Sequence, residues 1–301
     1  MSQSSLLSIL IIEYHHMKQK IVSILSCPKC KSKIDFKEEK KSGDRVHQGK
    51  LTCKKCNKSF DIINDIVCFK TLTKKDINPK EIQKIQDLFL KEEISKKWLK
   101  YFNKHEKQEL ENELKWLIDN SDLKNSKIHL DWATGPGRFL RNILEVYNGE
   151  VIALDIGYPT CLGLKVLLQK LNKYANVTIV CDDVRNMPFS DNSIDSASSW
   201  HGLDEPNVDK AIDESKRILK SNRPLSVSGL SFKEGSKSLK VALKWKIKFA
   251  RKNEIRRYFR KVGFRDIKYV TFLEGKWTGK DDFLPRFGDY FINYGINGKK
   301  E

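Results

Sequence analysis

From residue 127 to the end of the chain, short apolar runs alternate with stretches whose apolar residues recur every three or four positions. The runs at 128–131, 151–155, 177–181, 194–199 and 225–228 read as strands, and helical spacing falls near 137–147, 160–173 and 208–220. A further helix is expected from a cap at Asn253 to Gly263, where a left-handed stop suits glycine. "RDIKYVTF" reads as a sixth strand. "LKWKIKF" (243–249) alternates like a strand, yet Leu239, Leu243 and Ile247 also lie on one helical face, and helix is the expectation. Strand and helix in turn predict βαβ units around a parallel sheet.

Upstream the pattern changes. Asn78 can cap a helix with Pro79 in its first turn, and Ile82, Ile85 and Phe89 keep helical spacing. Ile94, Trp98 and Tyr101 continue it, and Leu110, Leu114 and Leu117 mark a second helix. Residues 20–70 are short, basic and cysteine-bearing. The expected organisation is an extension over 1–19, a small unit over 20–70, a helical linker or cap over 71–124 and an α/β domain over 125–301. There is no internal repeat.

"LLSILII" at 6–12 is too short for a membrane span and has no preceding Lys or Arg, which makes it a poor export signal. Met17 reads like a natural start, with residues 1–16 an upstream extension. No membrane partner is expected, the default compartment is a reducing cytoplasm, and seven cysteines there are not disulfide-bonded.

The net charge is +18. Lysine dominates it, so bulk charge alone says little, but its placement says more. Residues 20–58 hold 12 basic and 4 acidic side chains, and residues 236–261 hold 11 and 1. These two segments carry the entire surplus, and five of the twelve arginines fall between 251 and 265. Two basic patches suit a polyanion. With Trp245, Phe249 and Tyr258 interleaved, the second could grip RNA by phosphate contacts and stacking. A solvated helix face is the plainer alternative.

Cys27-x-x-Cys30 and Cys53-x-x-Cys56 are the most specific chemical signal. Each pair can form a knuckle, and two knuckles supply the four thiolates a structural zinc prefers. A block this short buries little core, and a zinc worth roughly 10–16 kcal/mol would supply the missing stability. His47 is a possible substitute ligand or a solvated loop residue. Cys68, Cys161 and Cys181 lie in or beside apolar runs and read as core. "ILSCPKCKSKIDF" with "LTCKKCNKSFDIINDIVCF" resembles the zinc-ribbon family of methyltransferase activators, and related ribbons open some rRNA guanine methyltransferases. The resemblance covers 22–70 and implies Zn2+ on Cys27, Cys30, Cys53 and Cys56 and a possible protein partner.

"HLDWATGPGRFL" (129–140) runs an apolar stretch into a lean turn and a helix start. A dinucleotide fingerprint would need a third glycine where Leu140 stands. The pattern is instead Asp131, then small-x-Gly-x-Gly from Ala133 through Gly135 to Gly137. It resembles motif I of class I S-adenosylmethionine-dependent methyltransferases, whose turn closes on the methionine and ribose of the cofactor. By the same resemblance Asp155, ending "VIALD", binds the ribose hydroxyls, with Ile156 beside it. Asp183 matches the acid that bonds the adenine amino group, Val184 presents its amide to the ring, and Ser199 ends the fourth strand beside the cofactor. The physics agrees: a diol and an exocyclic amine each suit a carboxylate. The resemblance spans about 125–270 and implies a Rossmann-like sheet with helices on both faces. Trp132 and Ala133 depart from smaller family residues, which would weaken cofactor binding, and "SNRP" replaces Pro-Gly-Gly.

"WHGLDEP" follows the fourth strand, and His201 and Asp204 are the candidate catalytic groups, with Trp200 able to stack on a planar base. His201 could equally be a lid residue. No Asn-Pro-Pro-Tyr tetrad for exocyclic amines is present, nor a cysteine pair placed for attack at pyrimidine carbon 5. The expectation is methyl transfer to RNA. The alternatives are a quinone- or lipid-like small molecule, since "LDxATGxG" and "MPF" also resemble those enzymes, or a cofactor-binding protein without activity.

Overall fold

The computed structural model describes residues 19–42, 45–91, 99–280 and 283–301. The extension of residues 1–16 and the Ile94–Trp98 part of the helical pattern lie outside them. The described chain opens with one helical turn, α1 (Gln19–Val22), and four short antiparallel strands: β1 (Ile34–Ser42), β2 (Arg45–Cys53), β3 (Ser59–Ile63) and β4 (Ile66–Cys68). Two helices follow, α2 (Pro79–Leu90) and α3 (Lys104–Asp119). Asn78 caps α2 by accepting the amides of Lys80 and Glu81, and Asn103 and Glu106 close a capping box on α3.

The α/β part runs β5 (Ile128–Trp132), α4 (Arg138–Val146), β6 (Glu150–Asp155), α5 (Tyr158–Lys170), β7 (Val177–Cys181), β8 (Ser196–Ser199), α6 (Asp209–Ile218) and β9 (Pro224–Phe232). It finishes with α7 (Lys237–Lys244), α8 (Glu254–Lys261), β10 (Phe264–Lys276) and β11 (Tyr290–Lys300). All the strands join one sheet in the order β1-β2-β3-β4-β7-β6-β5-β8-β9-β11-β10. The centre is parallel, β11 runs antiparallel to both β9 and β10, and β4 adds to β7 in parallel.

Side chains alternate across the sheet and so build two cores. Val151 and Ala153 of β6 face a layer of α2, α3, α4 and α5, while Ile152 and Leu154 face α6, α8 and the Cys-bearing hairpins. Helices therefore cover both faces, as the Rossmann-like reading expects.

Three local expectations need correction. Residues 245–249 are not helical: α7 ends at Lys244, and Lys246 takes a left-handed φ of 61°. Asn253 does not cap α8 through its side chain and instead has a φ of 68°. Strand β11 was not anticipated. Its glycines, Gly295 and Gly298, sit where a Cβ would press on Trp116 and on Phe259, so close packing from both faces replaced the usual apolar signature.

Candidate functional site

The chain passes from β5 outward through β6 to β7, then returns to β8 on the other side of β5. A ligand crevice belongs at the carboxyl ends of the strands beside such a reversal. The glycine turn lies there. Ala133, Gly135 and Gly137 all have left-handed φ, at 52°, 53° and 72°. A left-handed alanine costs about 1–2 kcal/mol, so the backbone path matters more here than local comfort. A Cβ on Gly135 would project into open space, whereas one on Gly137 would meet Leu164 Cδ1 at 2.4 Å. Gly135 thus keeps the crevice clear, and Gly137 lets α4 approach α5. The indole of Trp132 is wholly buried, packed beneath Gly202.

Asp155 Oδ2 accepts the amide of Gly135 at 2.9 Å, and its Oδ1 accepts that of Gly157 at 2.9 Å. Burial raises its pKa against the pull of these amides. Asp131 is buried, with Oδ2 lacking a hydrogen-bond partner, and burial pushes its carboxyl well above the usual range. Ile156 is 48% exposed at the end of β6. A lean turn, an orphaned acid, a fixed acid and an uncovered apolar side chain fit an adenosine with a cationic amino-acid tail.

Asp183 is otherwise engaged. Burial opposes its ionisation, but Arg185 donates to it through Nε, at 2.8 and 3.0 Å, and through Nη2 at 2.6 Å, and holds it below its ordinary value. Its neighbour Asp182, not singled out by the sequence, is buried, has an unpartnered Oδ2 and is raised by burial to about 7. Val184 begins the 3₁₀ turn that follows. Ser199 is buried and donates to the Trp132 carbonyl at 2.6 Å, so its hydroxyl is turned inward.

His201 follows β8 with a left-handed φ of 60° and stands between two carboxylates. Its Nδ1 is 2.8 Å from Asp204 Oδ2, and its Nε2 is 3.5 Å from Glu113 Oε1. Burial works against the imidazolium, but Glu113 and Asp204 outweigh it and raise the pKa to about 10. Asp204 Oδ1 accepts the Leu230 amide, fixing this loop to β9. Glu113 is fully buried on α3 and accepts from Asn293 Nδ2 at 2.8 Å. The sequence reading passed over Glu113 because it sits in a run of charged helix residues; a glutamate in step with Leu110, Leu114 and Leu117 was the available signal. The ring of Trp200 lies 5.2 Å from the guanidinium of Arg138 and edge-on to His201.

Cys27, Cys30, Cys53 and Cys56 converge, with all four sulfurs within 4.8 Å of one another. The two knuckles repeat one geometry. The Lys31 amide donates to the Cys27 carbonyl and that of Asn57 to the Cys53 carbonyl, and both residues are left-handed, at φ 56° and 54°. The amides of Lys55 and Cys56 point at Cys53 Sγ, at 3.4 Å each. Convergent sulfurs with amide donors suit a thiolate-bound cation. His47 is paired with Asp65 instead. Cys68, Cys161 and Cys181 are buried core residues.

On the basic 236–261 segment, Lys240, Lys244, Lys252, Arg257, Arg260 and Lys261 are exposed. Trp245 is 41% exposed with Arg286 over its ring. Phe249 is buried, and the hydroxyl of Tyr258 donates to Asp213. Of the three aromatics expected to stack, only Trp245 is exposed. Among the described residues no helix is long and apolar enough to cross a membrane.

Residues 130–222 match a protein family described as a methyltransferase domain. Among solved structures, the chain is similar to phosphoethanolamine N-methyltransferase 2 of Haemonchus contortus in complex with phosphomonomethylethanolamine and S-adenosylhomocysteine. The identity is 19%, over 64% of this chain and 53% of that one, with a TM-score of 0.50. It is similar to the YcgJ protein of Bacillus subtilis at 14% identity, over 64% of this chain and 99% of that one, and to the [4+2]-cyclase SpnF at 16%, over 62% and 80%; each TM-score is 0.50. These likenesses show the fold, and the chain spans about half the length of the Haemonchus enzyme. No curated protein sequence matches the chain. The matched residues include the glycine turn, Asp155 and the 182–184 segment that border the crevice.

Proposed function

We propose that the protein is an S-adenosylmethionine-dependent methyltransferase acting by in-line displacement, with an RNA base as acceptor and a structural zinc on its four clustered cysteines. One observation carries the cofactor assignment. At the sheet's reversal, Asp155 is fixed by two backbone amides directly opposite a turn that leaves Gly135 facing open space. When bound, S-adenosylmethionine supplies an electrophilic methyl on a sulfonium, which is the hard part of the chemistry. Asp155 would hold the ribose hydroxyls and Asp131 would face the cationic tail. Ile156 would cover one side of the adenine, with the 182–184 segment at its edge.

The remaining task of the chain is to hold the acceptor in line and dry, worth about 7–11 kcal/mol in favourable cases. Trp200 is suited to stack on a planar acceptor. His201 Nδ1 is bonded to Asp204 and its Nε2 faces Glu113 at 3.5 Å, so its role here is to shape the loop rather than to take a proton. The RNA reading is supported by the exposed basic segment around α7 and α8 with Trp245 beside it.

The test is transfer of labelled methyl groups into fractionated cell extract, together with calorimetry of S-adenosylhomocysteine. Label in the RNA fraction is expected. Label in the organic phase of a lipid extract would replace RNA by a small apolar acceptor. Absence of S-adenosylhomocysteine binding would remove the enzymatic reading and leave a protein that works through its surfaces alone.

A further inference from the structure

The first cysteine knuckle grips the loop that follows β7. The Ser26 amide donates to the Pro188 carbonyl at 2.9 Å, and the Ser190 amide donates to the Ile24 carbonyl at 2.8 Å. Leu25 and Phe189 form an antiparallel bridge. From inside the knuckle, Lys31 Nζ donates to Asn186 Oδ1 at 2.7 Å and to the Met187 carbonyl at 3.0 Å, and pairs with Glu214 at 2.8 Å. Asn186 and Met187 lie within four residues of Asp183 and Val184, at the proposed adenine edge.

The backbone of Lys31 is left-handed, with its amide closed onto the Cys27 carbonyl at 2.7 Å. A lysine holds that conformation where its surroundings enforce it. A cation bound by the four sulfurs would enforce it, since Cys27 and Cys30 flank the turn. Arg217 also donates to the Met187 and Phe189 carbonyls and shares Glu214 with Lys31, so losing the knuckle would loosen the loop without releasing it.

We infer that metal loading of the cysteine quartet and binding of the adenosine cofactor are positively coupled through Lys31, a positioning residue for the cofactor loop. The inference rests on the methyltransferase reading above. By linkage, each ligand raises the affinity for the other by the same factor.

The experiment uses the full chain, zinc-loaded or stripped by chelation, with S-adenosylhomocysteine titrated by calorimetry and folding followed by far-ultraviolet circular dichroism. The stripped protein should bind about tenfold more weakly and recover on adding zinc. Zinc affinity against a competing chelator should rise by the same factor in saturating S-adenosylhomocysteine. Zinc-loaded Lys31→Met should lose about fivefold in S-adenosylhomocysteine affinity, and Lys31→Arg should restore it. Equal affinity for folded stripped and loaded protein would overturn the coupling, as would wild-type affinity in Lys31→Met. If stripping unfolds the chain, the zinc-loaded Lys31 variants decide. If zinc-loaded wild type does not bind S-adenosylhomocysteine, it is the methyltransferase reading that has failed.

Discussion

Glu113 Oε1 lies 3.5 Å from His201 Nε2, joining α3 to the loop beyond β8. With Asp204 on the other nitrogen, the imidazole is enclosed by negative charge and its pKa rises to about 10. The unfolded chain has the ordinary histidine value near 6.5. Folded protein therefore keeps a proton that unfolded protein loses between these values. The resulting stability is fully present below about pH 6.5 and disappears as pH rises through about 10. Thermal midpoints of wild type should fall across this window more steeply than those of His201→Gln. Parallel curves would mean that the imidazolium contributes nothing.

Removing the Asp155 carboxylate should cost cofactor affinity more than fold. Charge-assisted hydrogen bonds are worth about 1.5–3 kcal/mol, so Asp155→Ala should weaken S-adenosylhomocysteine binding by about tenfold to a hundredfold in calorimetry. Full affinity in a folded variant would displace the ribose from this acid.

The two glycines of the turn should respond differently to the same substitution. Gly137→Ala drives a Cβ onto Leu164 Cδ1, and overpacking of this kind costs about 1–3 kcal/mol of stability. In Gly135→Ala the Cβ points into the crevice, where only Ala133 O lies within 4 Å. Both variants carry the cost of about 1–2 kcal/mol for an alanine at positive φ, so Gly135→Ala should lose stability by that amount alone, less than Gly137→Ala, and should lose cofactor affinity. Comparing thermal unfolding with S-adenosylhomocysteine titration checks both, and an identical profile for the two variants would contradict the geometry.

Elemental analysis of the purified protein should find one zinc per chain. Cys56→Ser should lower that content and destabilise β1 to β4, read as faster proteolysis within residues 19–70. An undiminished zinc content would remove Cys56 from the ligand set.

Replacing Lys252, Arg257 and Lys261 by glutamine removes three exposed charges from the α8 region. If each meets a phosphate, RNA affinity should fall and the slope of log affinity against log salt should shrink by about two or three. S-adenosylhomocysteine binding should be untouched. An unchanged slope would send the search for the acceptor surface elsewhere.

The parallel strands and the glycine turn were legible because a five-residue apolar run and a left-handed turn leave short-range marks. The cysteine quartet was legible for the same reason, its spacing being local. The Glu113–His201 pair was not, since 88 positions separate its members and only the packing of α3 on the sheet brings them together. Strand β11 was missed because Gly295 and Gly298 satisfy contacts from both sheet faces rather than a local pattern. At Asp183 the motif was legible but its partner was not: Arg185, two residues on, turns back and chelates it.

The parallel pairing of Ile66, Val67 and Cys68 with Ile179, Val180 and Cys181 has a consequence for any attempt to divide the molecule. The small hairpins finish a sheet margin that would otherwise end at β7. A fragment beginning after residue 70 would expose that margin's amides and carbonyls to solvent and to one another, and such bare borders recruit strands from neighbouring chains. Truncation should therefore yield material that self-associates more than the full chain, since the amino-terminal hairpins shield the border at β7.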